Sequence, residues 1–149
     1  MKTTTKNLLT IAFLSIVCLT SCKKETIHKS NTELLTQKTW KFETHGLDEN
    51  NNGIIEESET DMQPCEADDE FTFNANGTGL YTNGTLICNS GDPSTIDFNW
   101  LFANNETELA IFASPEKINK LDDNTLETYY EDLNSQGQTV KYIRRFKHY

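Results

Sequence analysis

Hydrophobic positions along the chain fall into two regimes. Residues 8–19 form one apolar run broken only by Thr10 and Ser15. From Trp40 onward, apolar and polar residues alternate in short stretches separated by turn residues. Between the two, Ser30 and Glu33 have the spacing of a capping box and predict a short helix through Leu34-Leu35. Trp40 and Phe42 alternate with Lys41 and Glu43, a first strand with one buried face. Phe71 and Phe73 begin a hairpin that turns at Asn76-Gly77 and returns through Leu80, Tyr81 and Thr82. Ile96, Phe98, Trp100 and Phe102 share a face of the next strand. Asn104-Asn105 leads into residues 109–112, which Ser114-Pro115 ends. Residues 116–121, 126–130 and 140–146 follow, and Val140, Tyr142, Arg144 and Phe146 share a face of the last strand. Short sequential hairpins of this kind predict an all-β chain: an antiparallel up-and-down eight-stranded barrel with a short N-terminal helix.

One stretch departs from alternation. Residues 48–59 carry oxygen side chains at loop positions one, three and five (Asp48, Asn50, Asn52), and Gly53 follows at position six. The backbone carbonyl of Ile54, then Glu56, then a bidentate Glu59 at the last position complete the set. Hard oxygen donors around a sharp glycine turn suit calcium, and the whole stretch resembles the twelve-residue loop of EF-hand proteins. Its flanks differ, with a strand before it and Met62-Gln63-Pro64 after it instead of paired helices. Asparagine at positions three and five lowers the ligand charge, so the expected affinity lies in the weak extracellular range of about 10⁻⁴–10⁻³ M. The acidic run 66–70 reads as a solvated edge or, alternatively, as the source of a further carboxylate for the metal.

Composition changes the picture mainly through the N-terminus. Lys2 and Lys6 precede the apolar run, which is too short to span about 30 Å of hydrocarbon at about 1.5 Å per residue. The run closes on Leu19-Thr20-Ser21-Cys22, which resembles the lipobox of bacterial lipoproteins. The resemblance implies removal of residues 1–21, acylation of Cys22, a tether over 22–30 and one domain over 31–149. It also implies a lipid-anchored place in the bacterial cell envelope, at the periplasmic or surface face of the outer membrane. Processing moves the formal charge from −10 to −12, because Lys2 and Lys6 leave with the signal. So acidic a chain repels phosphate backbones, which excludes nucleic acid as a partner. Cys18 leaves with the signal and Cys22 takes lipid; Cys65 and Cys88 remain, an even pair whose default in an oxidising compartment is a disulfide. With Asn76-Gly77 as a two-residue loop, facing residue numbers sum to 153, which sets Cys65 opposite Cys88 unless Asn83-Gly84 bulges the return strand and shifts that register.

Together the helix leading into Leu34-Leu35 and Trp40, Cys65 with Asp68-Asp69 and Phe71-Thr72-Phe73, Asn76-Gly77-Thr78, Cys88, Trp100 and Leu121-Asp122-Asp123-Asn124-Thr125-Leu126 resemble the lipocalin-like domain family of bacterial lipoproteins. Lys38 stands where true lipocalins carry Gly before the first-strand Trp. The resemblance implies that a last-strand arginine, here Arg144, stacks on Trp40. No Gly-x-Ser-x-Gly elbow, His-Glu-x-x-His helix or phosphate-binding glycine loop occurs, and His28, His45 and His148 are scattered, so the chain reads as a non-enzyme. Two readings stay open. In the first, a small apolar ligand sits among Trp40, Phe73, Phe98, Trp100, Tyr130, Tyr142 and Phe146, with Arg144 as an anchor. In the second, those rings fill a closed core and the protein is an anchored module that contacts another envelope protein through its loops. The short domain favours the filled core.

Overall fold

Alternation needs a partner for every strand edge, and this chain meets that need by joining its ends. The computed structural model describes residues 28–148. Helix α1 (Asn31–Thr36) leads to β1 (Trp40–Asp48), β2 (Glu70–Phe73), β3 (Thr78–Thr82), β4 (Thr95–Ala103), β5 (Glu108–Ile111), β6 (Ser114–Leu121), β7 (Thr125–Leu133) and β8 (Thr139–His148), with a 3₁₀ turn at Pro64–Glu66. Each strand pairs antiparallel with the next, and β8 pairs with β1 from Trp40↔His148 to Asp48↔Lys141. The eight strands therefore form one sheet that closes in a ring, with β1 and β2 joined through the single pair Trp40↔Phe71. The capping box at α1 is present, with Ser30 Oγ accepting from Glu33 N and Glu33 accepting from Ser30 N.

The two ends of the ring differ. At one, short turns join β2–β3, β4–β5 and β6–β7, and α1 lies across the opening. There Leu35, Trp40, Phe71, Phe73, Phe98, Trp100, Leu109, Leu126 and Phe146 form the packed core. Trp40 Nε1 donates to Leu35 O at 2.8 Å, satisfying a carbonyl that the helix end leaves free. Lys29 pairs with Asp123 of the β6–β7 turn and fastens the incoming chain to this same end. The opposite end carries the long β1–β2 and β3–β4 connections.

Two turns depart from the sequence reading. The β2–β3 pairs run Glu70↔Thr82 to Phe73↔Gly79, so facing numbers sum to 152 and not 153. The loop is one residue longer, because Asn74 N bonds Thr78 O and Gly77 takes the left-handed conformation at φ 85°. Asn-Gly fits this bulged loop as well as the two-residue turn. At β5–β6 the turn is Phe112-Ala113, both at positive φ (52° and 65°), and Pro115 lies inside β6 opposite Ala110. Such primed-turn geometry usually falls to Gly or Asn, so nothing in the sequence marked it.

Candidate functional site

The loop-bearing half of the ring is not filled. A cavity of about 650 Å³ opens there, walled by Phe42, Phe71, Phe146, Tyr130, Tyr142, Ile111 and the Phe112–Pro115 turn region, together with His45, Glu66, Glu116 and Arg144. A β-bulge puts His45 inside. Register slips between Phe42 and Thr44, so the inward face passes from even to odd positions along β1. His45 is 7% exposed, and its two ring nitrogens meet different partners. Nδ1 lies 2.6 Å from Asp61 Oδ1 and 2.9 Å from Tyr142 Oη, and Nε2 lies 3.3 Å from Glu66 Oε2. Tyr142 Oη also donates to Asp61, at 2.8 Å to Oδ2. Burial and then the Asp61 carboxylate push the Tyr142 phenol well above its ordinary range, so it stays a neutral donor. Tyr130 stacks on Tyr142 at 5.0 Å between centroids, and burial raises its phenol too.

On the far wall, Arg144 Nη1 donates to Glu116, and Thr128 Oγ1 donates to the other Glu116 oxygen at 2.6 Å. The Glu116 side chain is 8% exposed and that of Arg144 36%, so the carboxylate is buried while the guanidinium side keeps access to the cavity. Burial lowers the Arg144 pKa, yet a guanidinium keeps its proton in proteins. Its guanidinium carbon sits 5.7 Å and 5.5 Å from the ring centroids of Tyr130 and Tyr142. The stack expected between Arg144 and Trp40 is absent: Trp40 packs against His148, its cross-strand partner, at 3.6 Å between centroids. Arg144 faces inward as expected, but two dyads further from the closed end.

The same geometry divides the expected ligand residues. Tyr130, Tyr142, Arg144 and Phe146 reach the cavity. Trp40, Phe73, Phe98 and Trp100 belong to the packed end, where Phe73 meets Phe98 and Trp100 edge to face at 5.3 Å and 5.9 Å. Phe42, His45, Glu66, Phe71 and Glu116 are wall residues that sequence reasoning passed over. No protein-family model and no curated protein sequence matches the chain.

The acidic Asn-rich loop sits beside the mouth. Asp48, 1% exposed, accepts from Asn52 N at 3.0 Å and Gly53 N at 2.9 Å. Glu59 folds back on the loop start: Oε1 accepts from Glu49 N and Asn50 Nδ2, both at 3.1 Å, and Oε2 accepts from Glu56 N at 3.1 Å. Asn52 Nδ2 donates to Glu56 at 3.2 Å, and Asn52 Oδ1 accepts from Ile54 N at 2.7 Å. The side chains of Asp48, Asn50, Asn52, Glu56 and Glu59 are thus tied into one hydrogen-bonded loop. Among the described residues no group of three or more His, Cys, Asp or Glu side chains is arranged to hold a metal; two of the five side chains here are amides. Gly46 makes the fold-back possible. It bridges to Thr60, and a Cβ there would fall 2.9 Å from Thr60 Cα and 3.0 Å from Glu59 C. Arg145 Nη2 reaches Gly53 O at 3.4 Å from the neighbouring strand.

Cys65 and Cys88 are bonded, with 5.3 Å between Cα atoms. They meet between the 3₁₀ turn and the β3–β4 loop and not as a cross-strand pair, since β2 begins at Glu70 and β3 ends at Thr82. The acidic run beside Cys65 is not a solvated edge. Asp69, 1% exposed, accepts from Tyr81 Oη and from Gly84 N, and Asp68 accepts from Thr85 N at 2.7 Å and Thr85 Oγ1 at 2.8 Å. These bonds hold Asp68 below the ordinary carboxylate range and clamp the two rim loops together. Cys22 and the 1–21 segment lie outside the described residues.

Proposed function

We propose that this chain is a lipid-anchored envelope lipoprotein with a lipocalin-like barrel that binds a small apolar ligand in its open half. The single observation that carries the binding reading is the 650 Å³ cavity, which lies within the roughly 300–1,000 Å³ typical of small-molecule sites and is walled mainly by rings. The test is fluorescence titration with the neutral apolar probe N-phenylnaphthylamine. Saturable one-to-one enhancement, lost when Ile111→Trp fills the cavity, supports the reading. No saturable signal up to the solubility of the probe overturns it.

The anchor rests on Leu19-Thr20-Ser21-Cys22. The intact mass of the membrane-extracted protein should correspond to a chain beginning at acylated Cys22; a mass retaining Met1 without acyl groups removes it. Calcium in the loop is supported by the fold-back of Glu59 onto the Asp48–Asn50 end. Asp48, Asn50, Asn52, Glu56 and Glu59 with the Ile54 carbonyl would hold the ion, which supplies charge neutralisation and stiffening. At tenfold its Kd, calcium would add about 1.4 kcal/mol of stability. Absence of calorimetric heat at millimolar calcium, with Glu59→Ala melting at the wild-type temperature, sinks this part.

A second reading, an anchored interaction module, is favoured by exposed Leu86 and Ile87 on the disulfide-tied rim loop (58% and 49%). Site-specific crosslinking from that loop to one envelope protein, abolished by Leu86→Ser with Ile87→Ser, would support it.

A further inference from the structure

We infer that the ligand of the open-half cavity carries a cationic head on its apolar body, as a small aromatic or alkyl amine does, and not a carboxylate. This rests on the binding reading above and assigns the charge of what is bound. Arg144 is the one fixed positive charge on the wall, and its charge is already compensated: Nη1 pairs with Glu116, and Thr128 holds the second Glu116 oxygen. A carboxylate drawn to the remaining N–H donors of Arg144 would lie beside the Glu116 carboxylate, whose like charge repels it.

The opposite wall carries surplus negative charge. Glu66 spends Oε2 on Gln63 N at 2.7 Å and on His45 Nε2 at 3.3 Å. Asp61 stands behind His45 and Tyr142. Glu66 and Glu116 on the lining, with Asp61 behind it, set three carboxylates against the one fixed positive charge of Arg144. Beside Glu66 and His45 are faces that favour cations. Phe42 lies 4.9 Å from His45, 5.1 Å from Phe71 and 4.7 Å from Phe146 between centroids. An ammonium placed there meets ring quadrupoles and a carboxylate at once. The acidic exterior raises the local concentration of cations and depletes anions at the mouth.

The test is a calorimetric or NMR titration of the intact protein at neutral pH with three probes sharing a phenyl body: phenethylamine, phenethyl alcohol and hydrocinnamate. The expected order is amine tightest, roughly tenfold or more over the alcohol, with the carboxylate weakest. Glu66→Gln should narrow the amine-to-alcohol ratio. Glu116→Gln, which frees Arg144, should move the carboxylate up the order. Glu66→Gln keeps the oxygen that caps Gln63 N, so the ratio stays measurable even if the Glu116 variant fails to fold. A carboxylate that binds tightest, or three equal affinities, overturns the charge assignment and leaves the cavity reading standing. No binding by any of the three overturns both.

Discussion

Gly46→Ala isolates one contact on which the mouth of the ring depends. The added methyl meets Thr60 Cα at 2.9 Å and Glu59 C at 3.0 Å, with Glu59 O nearer still, while ordinary contact begins near 3.4 Å. All three neighbours are backbone, so no rotamer change relieves the clash, and β1 and the segment after Glu59 must separate by about 1 Å. That separation strains two bonds made by His45 O, from Thr60 Oγ1 at 2.9 Å and from Asp61 N at 3.2 Å. At about 1 kcal/mol each, their loss costs ~2 kcal/mol, or a fall in Tm of roughly 8 °C for a domain of this size. Displacing Glu59 also breaks its bonds to Glu49 N and Asn50, so any calcium-dependent rise in Tm should shrink with it. Differential scanning calorimetry with and without millimolar calcium reads both effects. An unchanged melting temperature would refute the argument, since it would mean the loop end does not rest on Gly46.

Reduction of Cys65–Cys88, separated by 23 positions, should lower unfolding stability by roughly 3 kcal/mol in urea titrations, through the chain entropy of the closed loop. Equal midpoints for oxidised and reduced protein would assign the rim clamp to Asp68 and Asp69 instead. Gly79→Ala should destabilise by about 1–3 kcal/mol by overpacking, because its methyl would enter the Phe98 ring that covers the glycine across β3 and β4; a neutral outcome refutes that packing. Acid should unfold the protein along a definite course. Asp68, through Thr85, and Asp122, through Asn124 and Lys120, are held below their unfolded values. Each therefore stabilises above the ordinary carboxylate range, and that contribution is lost as pH falls through the folded values, below about pH 4. Asp68→Asn should flatten the fall of denaturation midpoint with pH, and a parallel profile for the variant would refute the assignment.

Alternation made the strands readable, because Trp40, Phe98, Trp100 and Phe146 mark buried faces that any antiparallel ring must bury. It could not give height along the strand. That is why Arg144 and Trp40, both inward, were expected to touch, whereas the β1–β8 register sets His148 on Trp40 and Arg144 opposite His45. A period of two also fails at a bulge, and the slip after Phe42 hid His45 among positions that should point outward. The cysteine pairing follows from the even count, whereas the facing positions do not: the hairpin register is offset by one, and proximity comes from the rim loops. Gly46 had no signal beyond being a glycine inside an alternating strand. The cavity itself depends on how many rings gather at one end, which single-strand patterns do not encode.

The entry of the chain beside α1, pinned by Lys29 to Asp123 at the plugged pole, has a directional meaning. Whatever grips the polypeptide upstream of residue 28, an acyl chain or a sensor chip, grips the stoppered pole. In the proposed lipoprotein the proposed ligand would enter at the pole opposite the attachment point, where the cavity opens.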